Sequence, residues 1–559
     1  MTSAQKRVQS AYQKINISRR PDIWITLRPS SAVNAEAEQV DQRVERGETL
    51  PLAGTVVAVK DNIDVAGIPT TAGCPSFSYV PSTTAPAIQR LVDAGALVLG
   101  KTNLDQFATG LVGMRSSYGI VRNAWLPEKI AGGSSAGSAV AVALGLADIG
   151  IGTDTAGSGR VPAAFNGIVG FKPTRGLIPI TGVVPASRSY DCVTVLTRTL
   201  ELGQRALAIM SGPDSHDPAS RAWPDFVRLA ASTPPHLAVP RAADLAPLSP
   251  PGRRAFARTV ERFTTAGAQT TEIDISPFLD AAKLLYDGAL VAERYAAVGE
   301  FIAGHRQDVD PSVAAIILEA AHIAAHQLAT HQGVVEETKV IAAAALKGCD
   351  ALLLPTAPEL PEVTAVQQDP LGINRHIGTY TNFVNVLDMA ALAVPADELE
   401  EGPFGVSIIT HAFGDQIALD LAALLLREPP PPPYVDTARY LLLPPVTPDP
   451  RLRQQLVVQG ARLLGEHRSA SAISEGTPVQ LQKSGTTPET TELWAISLGG
   501  LSRLLTDHPG PIVLSTVSLN DGSTALHLDV CGRAPAESTE ASSVISVGHC
   551  GGETRGTEE

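Results

Sequence analysis

Three short phrases of this chain, each glycine-rich or charged, are centred on Lys60, Ser134 and Ser158. A serine hydroxyl is a poor nucleophile at neutral pH, so a base must take its proton before it attacks a carbonyl carbon. No histidine lies near either serine phrase in the sequence. A lysine serves as this base when burial lowers its pKa and leaves the amine neutral. The apolar run Val56–Val59 predicts a buried strand that would desolvate the Lys60 amine.

The small residues just before Ser158 have a chemical use of their own. Amide hydrolysis passes through a tetrahedral oxyanion, which converging backbone N–H groups stabilise. Small residues let the backbone approach a substrate closely, and glycine adopts dihedral angles that are closed to other residues. We therefore predict an oxyanion hole at this turn, with the nucleophile at its end. Its donors would be the backbone amides of Thr155, Ala156, Gly157 and Ser158.

The order and spacing of the three phrases resemble those of the amidase signature family. Ser158 lies 24 positions after Ser134, and Lys60 lies 74 positions before Ser134. The downstream phrase 162–174 is also similar to the family pattern, and the resemblance extends over roughly residues 20–428. It implies a Ser–Ser–Lys triad. Ser158 would be the acylated nucleophile, Ser134 the proton-relaying middle serine at a cis peptide bond, and Lys60 the general base.

A fourth phrase, which runs from Tyr286 to Arg294, bears on the substrate. These two residues are eight positions apart, which places them near one face of a helix. An arginine fork holds a carboxylate through two parallel hydrogen bonds, although most arginines form surface ion pairs, here with Glu293 as a neighbouring partner. The phrase resembles that of allophanate hydrolases, in which the tyrosine and the arginine hold the substrate carboxylate. The resemblance implies attack by Ser158 on the terminal carboxamide of allophanate, with release of ammonia and then loss of carbon dioxide from N-carboxycarbamate.

Two other functions stay open. Met114 and Ala136 differ from the residues usual in allophanate hydrolases, which leaves room for an amidase of another small carboxylated or acyl amide, including one of a specialised metabolic pathway. The third hypothesis is a non-catalytic protein that keeps the fold, although all three triad positions are intact. No metal, nucleotide or organic cofactor is implied, because the nucleophile, the base and the oxyanion donors all come from the chain.

Two further patterns suggest sites but favour ordinary structure. Residues 95–102 fit the G-x-x-x-x-G-K-[ST] pattern of a phosphate-binding loop, yet the inner residues predict a strand instead of a loop that wraps phosphate. His322 and His326 lie one helical turn apart in an Ala-rich segment that also contains His331. The glutamate of an H-E-x-x-H motif is absent, so we predict a plain helix face instead of a metal site.

Composition and charge limit the class of protein. The chain has 559 residues, of which 44% are hydrophobic, so it can bury a large core and form more than one domain. Its formal net charge of −14 argues against nucleic acid or an anionic membrane surface as a partner. Residues 1–20 lack the apolar core of a secretory signal, and five scattered cysteines fit a reducing compartment. We expect a cytoplasmic protein whose partner is a small-molecule amide.

Short apolar strands alternate with Ala-rich helices through the first 200 residues, which predicts an α/β fold. The resemblance implies a large amidase signature domain over residues 1–428, with a mixed central sheet covered by helices. Nine prolines in residues 429–450 predict a stiff linker. Residues 451–532 predict a small C-terminal α/β, β-rich domain resembling that of allophanate hydrolase, and the polar residues 533–559 predict a disordered tail. The resemblance also allows a homodimer and a functional link to a biotin-dependent urea carboxylase.

Overall fold

The computed structural model describes residues 3–435, 438–443, 450–468, 490–507, 512–518 and 524–530. The chain divides into two compact units. The larger unit combines Met1–Trp223 with Ala231–Tyr434, and the smaller unit combines Pro224–Ala230 with Val435–Glu559. The predicted tail, residues 533–559, lies outside the described residues.

The larger unit is organised around a mixed sheet. Its strands, β1 to β11 in chain order, are Trp24–Leu27, Val56–Lys60, Leu97–Thr102, Ile149–Asp154, Val169–Lys172, Cys192–Thr197, His236–Pro240, Gln269–Ile273, Ala351–Pro355, Met389–Leu399 and Gly402–His411. Within the described residues they form one sheet of eleven strands, ordered β1-β3-β2-β4-β6-β5-β10-β11-β9-β7-β8. β2 pairs in parallel with β3 and β4, whereas β6, β5, β10 and β11 pair antiparallel with their neighbours. The predicted mixed central sheet is therefore confirmed.

Helices cover this sheet. The α-helices of the unit, α1 to α15, are Ala4–Ser18, Ser30–Glu45, Pro86–Asp93, Ala136–Ala143, Arg160–Phe165, Leu200–Met210, Pro250–Thr265, Ser276–Lys283, Ala292–Gly304, Pro311–Glu319, Ala325–Ala345, Val363–Gln368, Gly372–Ile377, Phe383–Val386 and Asp415–Leu426. Short 3-10 helices include Ala289–Val291, Ala320–His322 and Gly378–Tyr380. β2 and β3 are buried along their whole length, as is α4. Continuous apolar runs of this kind are typical of parallel strands that helices cover on both faces.

The parallel pairing of β2 with β4 decides where the chemistry can take place. The carboxyl ends of neighbouring parallel strands meet at one edge of a sheet, where ligands commonly bind in α/β proteins. β2 ends at Lys60, and β4 ends at Asp154. The turn after Asp154 carries Ser158 and leads into α5, and the turn that carries Ser134 leads into α4. All three predicted catalytic residues therefore come from one edge of the sheet.

The pattern that resembled a phosphate-binding loop forms β3, as the apolar inner residues predicted. Lys101 lies inside this strand and is fully buried. Its Nζ lies 3.2 Å from Asp61 Oδ1 and donates to Thr70 Oγ1 at 2.9 Å. The lysine therefore belongs to a buried ion pair of the protein.

The helical segment 275–345 contains breaks that the sequence pattern did not show. Helix α8 ends at Lys283, and α9 begins only at Ala292. His322 ends a 3-10 helix, whereas His326 lies in α11, so the predicted common helix face is wrong. Within the described residues no single helix is long and apolar enough to cross a membrane. Pro311–His322 and Ala325–Ala345 pass that test only as a pair, bent by 105°.

The smaller unit has its own sheet and core. Its elements in chain order are β12 Ala438–Leu443, α16 Pro450–Val458, β13 Arg462–Arg468, β14 Thr490–Ser497, α17 Leu498–Asp507, β15 Ile512–Ser518 and β16 Thr524–Val530. In this part of the described chain the sheet order is β13-β14-β12-β16-β15. Leu441, Leu456 and Trp494 contribute to its apolar core. β12 lies inside the range predicted as a linker, so the first strand of this sheet comes earlier than expected.

Candidate active site

Lys60 reaches the middle serine directly. The lysine is fully buried at the carboxyl end of β2. Its Nζ donates to Ser134 Oγ at 2.7 Å and to Thr153 Oγ1 at 2.7 Å. Thr153 lies on β4, so the parallel pairing of the strands orients the amine. The Gly133–Ser134 peptide bond is cis, as the family resemblance implied.

Burial lowers the pKa of the Lys60 amine to about 7, because the charged form loses its hydration. The carboxylates of Asp105, Asp154 and Asp191 act in the opposite direction. With a pKa near neutrality, a substantial fraction of the amine is unprotonated at pH 7. This is the form that accepts a proton, so the amine is matched to general-base work.

The carboxylate of Asp154 holds the turn that presents Ser158. It accepts the N–H of Gly157 at 2.9 Å and that of Gly159 at 3.1 Å. It also pairs with the fully buried Arg160 at 2.9 Å. Burial is the largest single influence and acts to raise the pKa of Asp154. The charge and hydrogen bonds of Arg160, together with other nearby donors and cations, outweigh it, and the pKa lies below its usual value. An ionised carboxylate therefore fixes this turn at neutral pH.

Ser158 is 1% exposed and lies beside the other serine phrase. Its carbonyl accepts the N–H of Ser135 at 3.1 Å, which joins the two phrases through the backbone. Its Oγ donates to the carbonyl of Gly110 at 3.5 Å. Among the described residues Ser158 Oγ forms no hydrogen bond with Ser134 Oγ. The structure thus brings the triad to one place, with the two serine hydroxyls bonded to different partners.

The four predicted oxyanion donors are not equivalent. The amide of Gly157 is already bonded to Asp154, so this geometry does not leave it for a substrate oxygen. Within the described part of the chain, the amides of Thr155, Ala156 and Ser158 donate to no protein acceptor. The sequence could not reveal this difference, because it depends on how the Asp154 carboxylate folds back over the turn.

Tyr286 and Arg294 come together, although not on one helix as predicted. Tyr286 lies in the turn after α8, and Arg294 lies in α9, with the 3-10 helix Ala289–Val291 between them. The guanidinium carbon of Arg294 lies 4.7 Å from the centre of the Tyr286 ring. Glu293 does not form the ion pair that was the alternative, because its carboxylate accepts from Ser187 Oγ and the N–H of Ser189. The break in the helix still allows the two side chains to stack.

Arg294 is a buried cation with unused donors. Its side chain is 1% exposed, and Nη1 donates to Thr109 Oγ1 at 3.0 Å. In the described residues Nε and Nη2 have no protein partner, and neither has the buried hydroxyl of Tyr286. Two adjacent free N–H groups beside a hydroxyl form a fork suited to a carboxylate.

Two chains of contacts join this fork to the triad. Thr109, which accepts from Arg294, is followed by Gly110, whose carbonyl accepts from Ser158. On the other side, Asp191 accepts from the hydroxyl of Thr155 at the oxyanion turn. Burial raises the pKa of Asp191, and the nearby Arg294 acts against that rise. Arg294 and Ser158, the predicted carboxylate-binding residue and the predicted nucleophile, are therefore connected through Thr109 and Gly110.

Two residues that position this site were missed by the sequence analysis. Asp105 accepts backbone N–H groups from Val112 through Arg115 and so shapes the loop beside the serine phrase. His331, predicted to lie on a plain helix face, accepts the N–H of Ala289 through Nδ1 at 2.7 Å. Ala289 begins the 3-10 helix between Tyr286 and Arg294. These contacts span 7 to 42 positions of the chain, so patterns among neighbouring residues do not reveal them.

Among the described residues no cluster of three or more His, Cys, Asp or Glu side chains is arranged to hold a metal ion. A cavity of about 260 Å³ lies elsewhere in the larger unit, lined in part by Phe165, Leu360 and Phe404. None of the predicted site residues lines it. Lys60, Ser134 and Ser158 therefore lie outside this cavity.

Known proteins resemble this chain along most of its length. A family model described as Amidase matches residues 6–419. The chain is 41% identical over 428 residues to a urea amidolyase of Saccharomyces cerevisiae and 43% identical over 407 residues to one of Lachancea kluyveri. These matches cover 74% and 71% of this chain but only 23% and 22% of the relatives. The chain thus spans less than a quarter of the length of these urea amidolyases.

A solved structure of allophanate hydrolase from Kluyveromyces lactis is similar over nearly its whole length. It has a TM-score of 0.80 and 32% identity, covering 95% of this chain and 93% of that one. A glutamyl-tRNA(Gln) amidotransferase subunit from Natronomonas pharaonis is 33% identical over 408 residues, covering 67% of this chain and 96% of the relative. The chain belongs to the amidase signature family, whose enzymes hydrolyse C–N amide bonds, and it is similar to urea amidolyase and allophanate hydrolase.

Proposed function

We propose that this chain hydrolyses allophanate, which is urea with a carboxylate on one nitrogen, through a Ser158–Ser134–Lys60 triad. The observation that carries the proposal is the buried Arg294 fork beside Tyr286. It is joined to the nucleophile through Thr109 and Gly110. A carboxylate on the fork would leave the carboxamide of a small substrate near Ser158. Allophanate has both groups on a short, planar frame.

The acylation step uses the neutral form of Lys60. Ser158 Oγ first turns from the carbonyl of Gly110 toward Ser134 Oγ. The amine then takes the proton of Ser134, Ser134 takes that of Ser158, and Ser158 Oγ bonds to the terminal carboxamide carbon. The negative charge moves to the carboxamide oxygen, where free amides at the Thr155–Ser158 turn stabilise it. The relay then returns a proton to the nitrogen, the C–N bond breaks, and ammonia leaves. The product is an ester of Ser158 that still carries the substrate carboxylate.

Deacylation reverses the roles of the same groups. Water attacks the ester after giving a proton to the relay, and Ser158 leaves with that proton. The released N-carboxycarbamate loses carbon dioxide, and the overall products are ammonia and carbon dioxide. The smaller, C-terminal unit acts in this later step, the breakdown of N-carboxycarbamate. A biotin-dependent urea carboxylase is the source of the allophanate.

Ammonia release from freshly prepared allophanate tests this proposal, with the full chain and Ser158→Ala measured side by side. A panel of small amides without a carboxylate is run under the same conditions. Activity on allophanate that disappears in Ser158→Ala supports both nucleophile and substrate. Activity on other amides alone rejects allophanate and keeps the triad, whereas full activity in Ser158→Ala rejects the nucleophile.

A further inference from the structure

Thr381 carries a buried hydroxyl that the mechanism above does not use. The residue follows the 3-10 helix Gly378–Tyr380 and is completely buried. Its Oγ1 has no hydrogen-bond partner within the described residues. A polar group buried without a partner is costly, and the great majority of buried polar atoms in proteins are paired. An unpaired hydroxyl at this depth indicates a ligand contact only where it also lies beside the candidate site.

The position of this hydroxyl indicates which ligand group it can meet. A Cβ atom placed on Gly157 would lie 2.5 Å from Thr381 Oγ1 and 2.8 Å from Thr381 Cβ. The hydroxyl thus lies against the turn that carries Ser158. The carbonyl of Thr381 accepts from Arg160 Nη1 at 3.1 Å, which ties the threonine to the first residue of α5. A glycine at position 157 is required for this close approach.

The neighbouring amide cannot serve the same purpose. The N–H of Gly157 already donates to the Asp154 carboxylate, whereas the hydroxyl of Thr381 beside it has no partner in the described residues. A hydroxyl rotates freely and can donate a hydrogen bond to a carbonyl oxygen. Within the described residues, the hydroxyl of Thr381 is therefore a free side-chain donor at this turn. The sequence predicted that the amide of Gly157 would donate there.

We infer that Thr381 is a substrate-contacting residue, whose hydroxyl donates a hydrogen bond to the oxygen of the scissile carboxamide. This inference rests on the proposed amide hydrolysis. Because negative charge grows on that oxygen during attack, the bond strengthens in the transition state, and its loss lowers kcat more than it raises KM. The contact also favours substrates whose carboxamide lies flat against the Gly157 turn.

The chain offers a matched control. Thr410 is 2% exposed, and its hydroxyl is also unpaired within the described residues. It lies on β11 against Gly414. Replacing either threonine with valine keeps the shape and removes one unpaired polar atom. In the absence of substrate we expect an unchanged or higher melting temperature for both variants.

The test measures kcat, KM and melting temperature for Thr381→Val, Thr381→Ser and Thr410→Val in the full chain. The substrate is allophanate or, if the wild type prefers one, the best amide of the panel. We expect kcat to fall at least tenfold in Thr381→Val without a loss of melting temperature, because one transition-state hydrogen bond is removed. Thr381→Ser should stay within about threefold of wild type, and Thr410→Val should have wild-type kinetics.

The results that would overturn the role of Thr381 differ from those that would overturn the proposed amide hydrolysis. An active wild type with unchanged kcat in Thr381→Val overturns this inference alone. A fall in melting temperature in Thr381→Val that accounts for the lost activity, with no rescue by Thr381→Ser, also overturns it, because it shows a packing role. A wild type that releases ammonia from no amide overturns the proposed function and the inference with it.

Discussion

Lys60 and Arg294 differ in whether their side-chain nitrogens have hydrogen-bond partners in the protein. Both side chains are buried cationic groups at one site. Lys60 Nζ has two protein acceptors at 2.7 Å. Arg294 has one, and its Nε and Nη2 have none within the described residues. Under the proposed function, the lysine is set for proton transfer before any substrate arrives, whereas the arginine keeps donors for a substrate carboxylate.

This difference shows what each region contributes. Burial shifts the lysine toward its neutral form despite the opposing carboxylates of Asp105, Asp154 and Asp191, which suits a base. A guanidinium keeps its charge even when it is buried, which suits the recognition of an anion. Unpaired buried donors cost roughly 1–3 kcal/mol each in mutational studies, so they persist where a ligand completes them. Substitution of Lys60 tests the role of the base, and substitution of Arg294 tests the recognition of the carboxylate.

The largest effect is expected for the nucleophile. Ser158→Ala should lower kcat by about 10⁴-fold or more, because no other group forms the acyl bond. Ser138→Ala is the control, since Ser138 Oγ donates to the Ile151 carbonyl at 2.9 Å and supports only the fold. That variant should lose about 1 kcal/mol of stability and keep most of its turnover. Comparable turnover losses in both variants would contradict the assignment of Ser158.

The second prediction concerns the base. Lys60→Ala should lower kcat/KM by about 10³-fold, within the usual range for a general base. In the wild type, kcat/KM should rise with pH and level off above an apparent pKa of about 7, since only the neutral amine accepts a proton. Below that pH it should fall about tenfold per unit. A pH–rate profile that is flat from about pH 5.5 to 8.5 would show that Lys60 is not the base.

The third prediction separates recognition of the carboxylate from chemistry. Arg294→Ala should lower kcat/KM for allophanate by about 100-fold, because the substrate carboxylate loses its buried partner. For an uncharged amide of similar size the loss should stay within about threefold. Arg306→Ala, at an exposed arginine beyond α9, should leave both substrates unchanged. Equal losses on charged and uncharged amides would mean that Arg294 supports the fold instead of the substrate.

The smallest effect is expected at His331. His331→Leu removes the acceptor of the Ala289 N–H and should raise KM for allophanate by about three- to tenfold, because the segment between Tyr286 and Arg294 loosens. kcat for an uncharged amide should change little. His326→Leu, at an exposed position of the same helix, should have wild-type kinetics. An unchanged KM in His331→Leu would remove this histidine from the site.

The sequence predicted the strands that are marked by continuous runs of apolar residues. The apolar runs that became β2 and β3 were recognised because parallel buried strands need such runs. The segment before Arg294 was predicted as one helix and is broken. Gly288, in an extended conformation, separates the turn of Tyr286 from the next helix. Helical spacing alone could not show the break, because the residues on either side also fit a helix.

Domain boundaries were harder to read. The proline-rich stretch predicted a linker up to residue 450, yet β12 forms inside it. β12 is held by pairing with β14 and β16, whose residues lie far along the chain. The limits of the predicted domains, the homodimer and the cytoplasmic location stay predictions.

The sequence by itself determined which groups are available for chemistry: two serines on small-residue turns, a lysine after an apolar strand, and an arginine with a tyrosine. It also determined the family, because these motifs have a fixed order and spacing. Only the tertiary structure decided how the groups are used. Parallel pairing of β2 and β4 brings Lys60 beside Thr153, and the hydroxyl of Ser134 accepts from the same amine across 74 positions of the chain. These outcomes depend on contacts between residues far apart in the chain, and local patterns carry no record of such contacts.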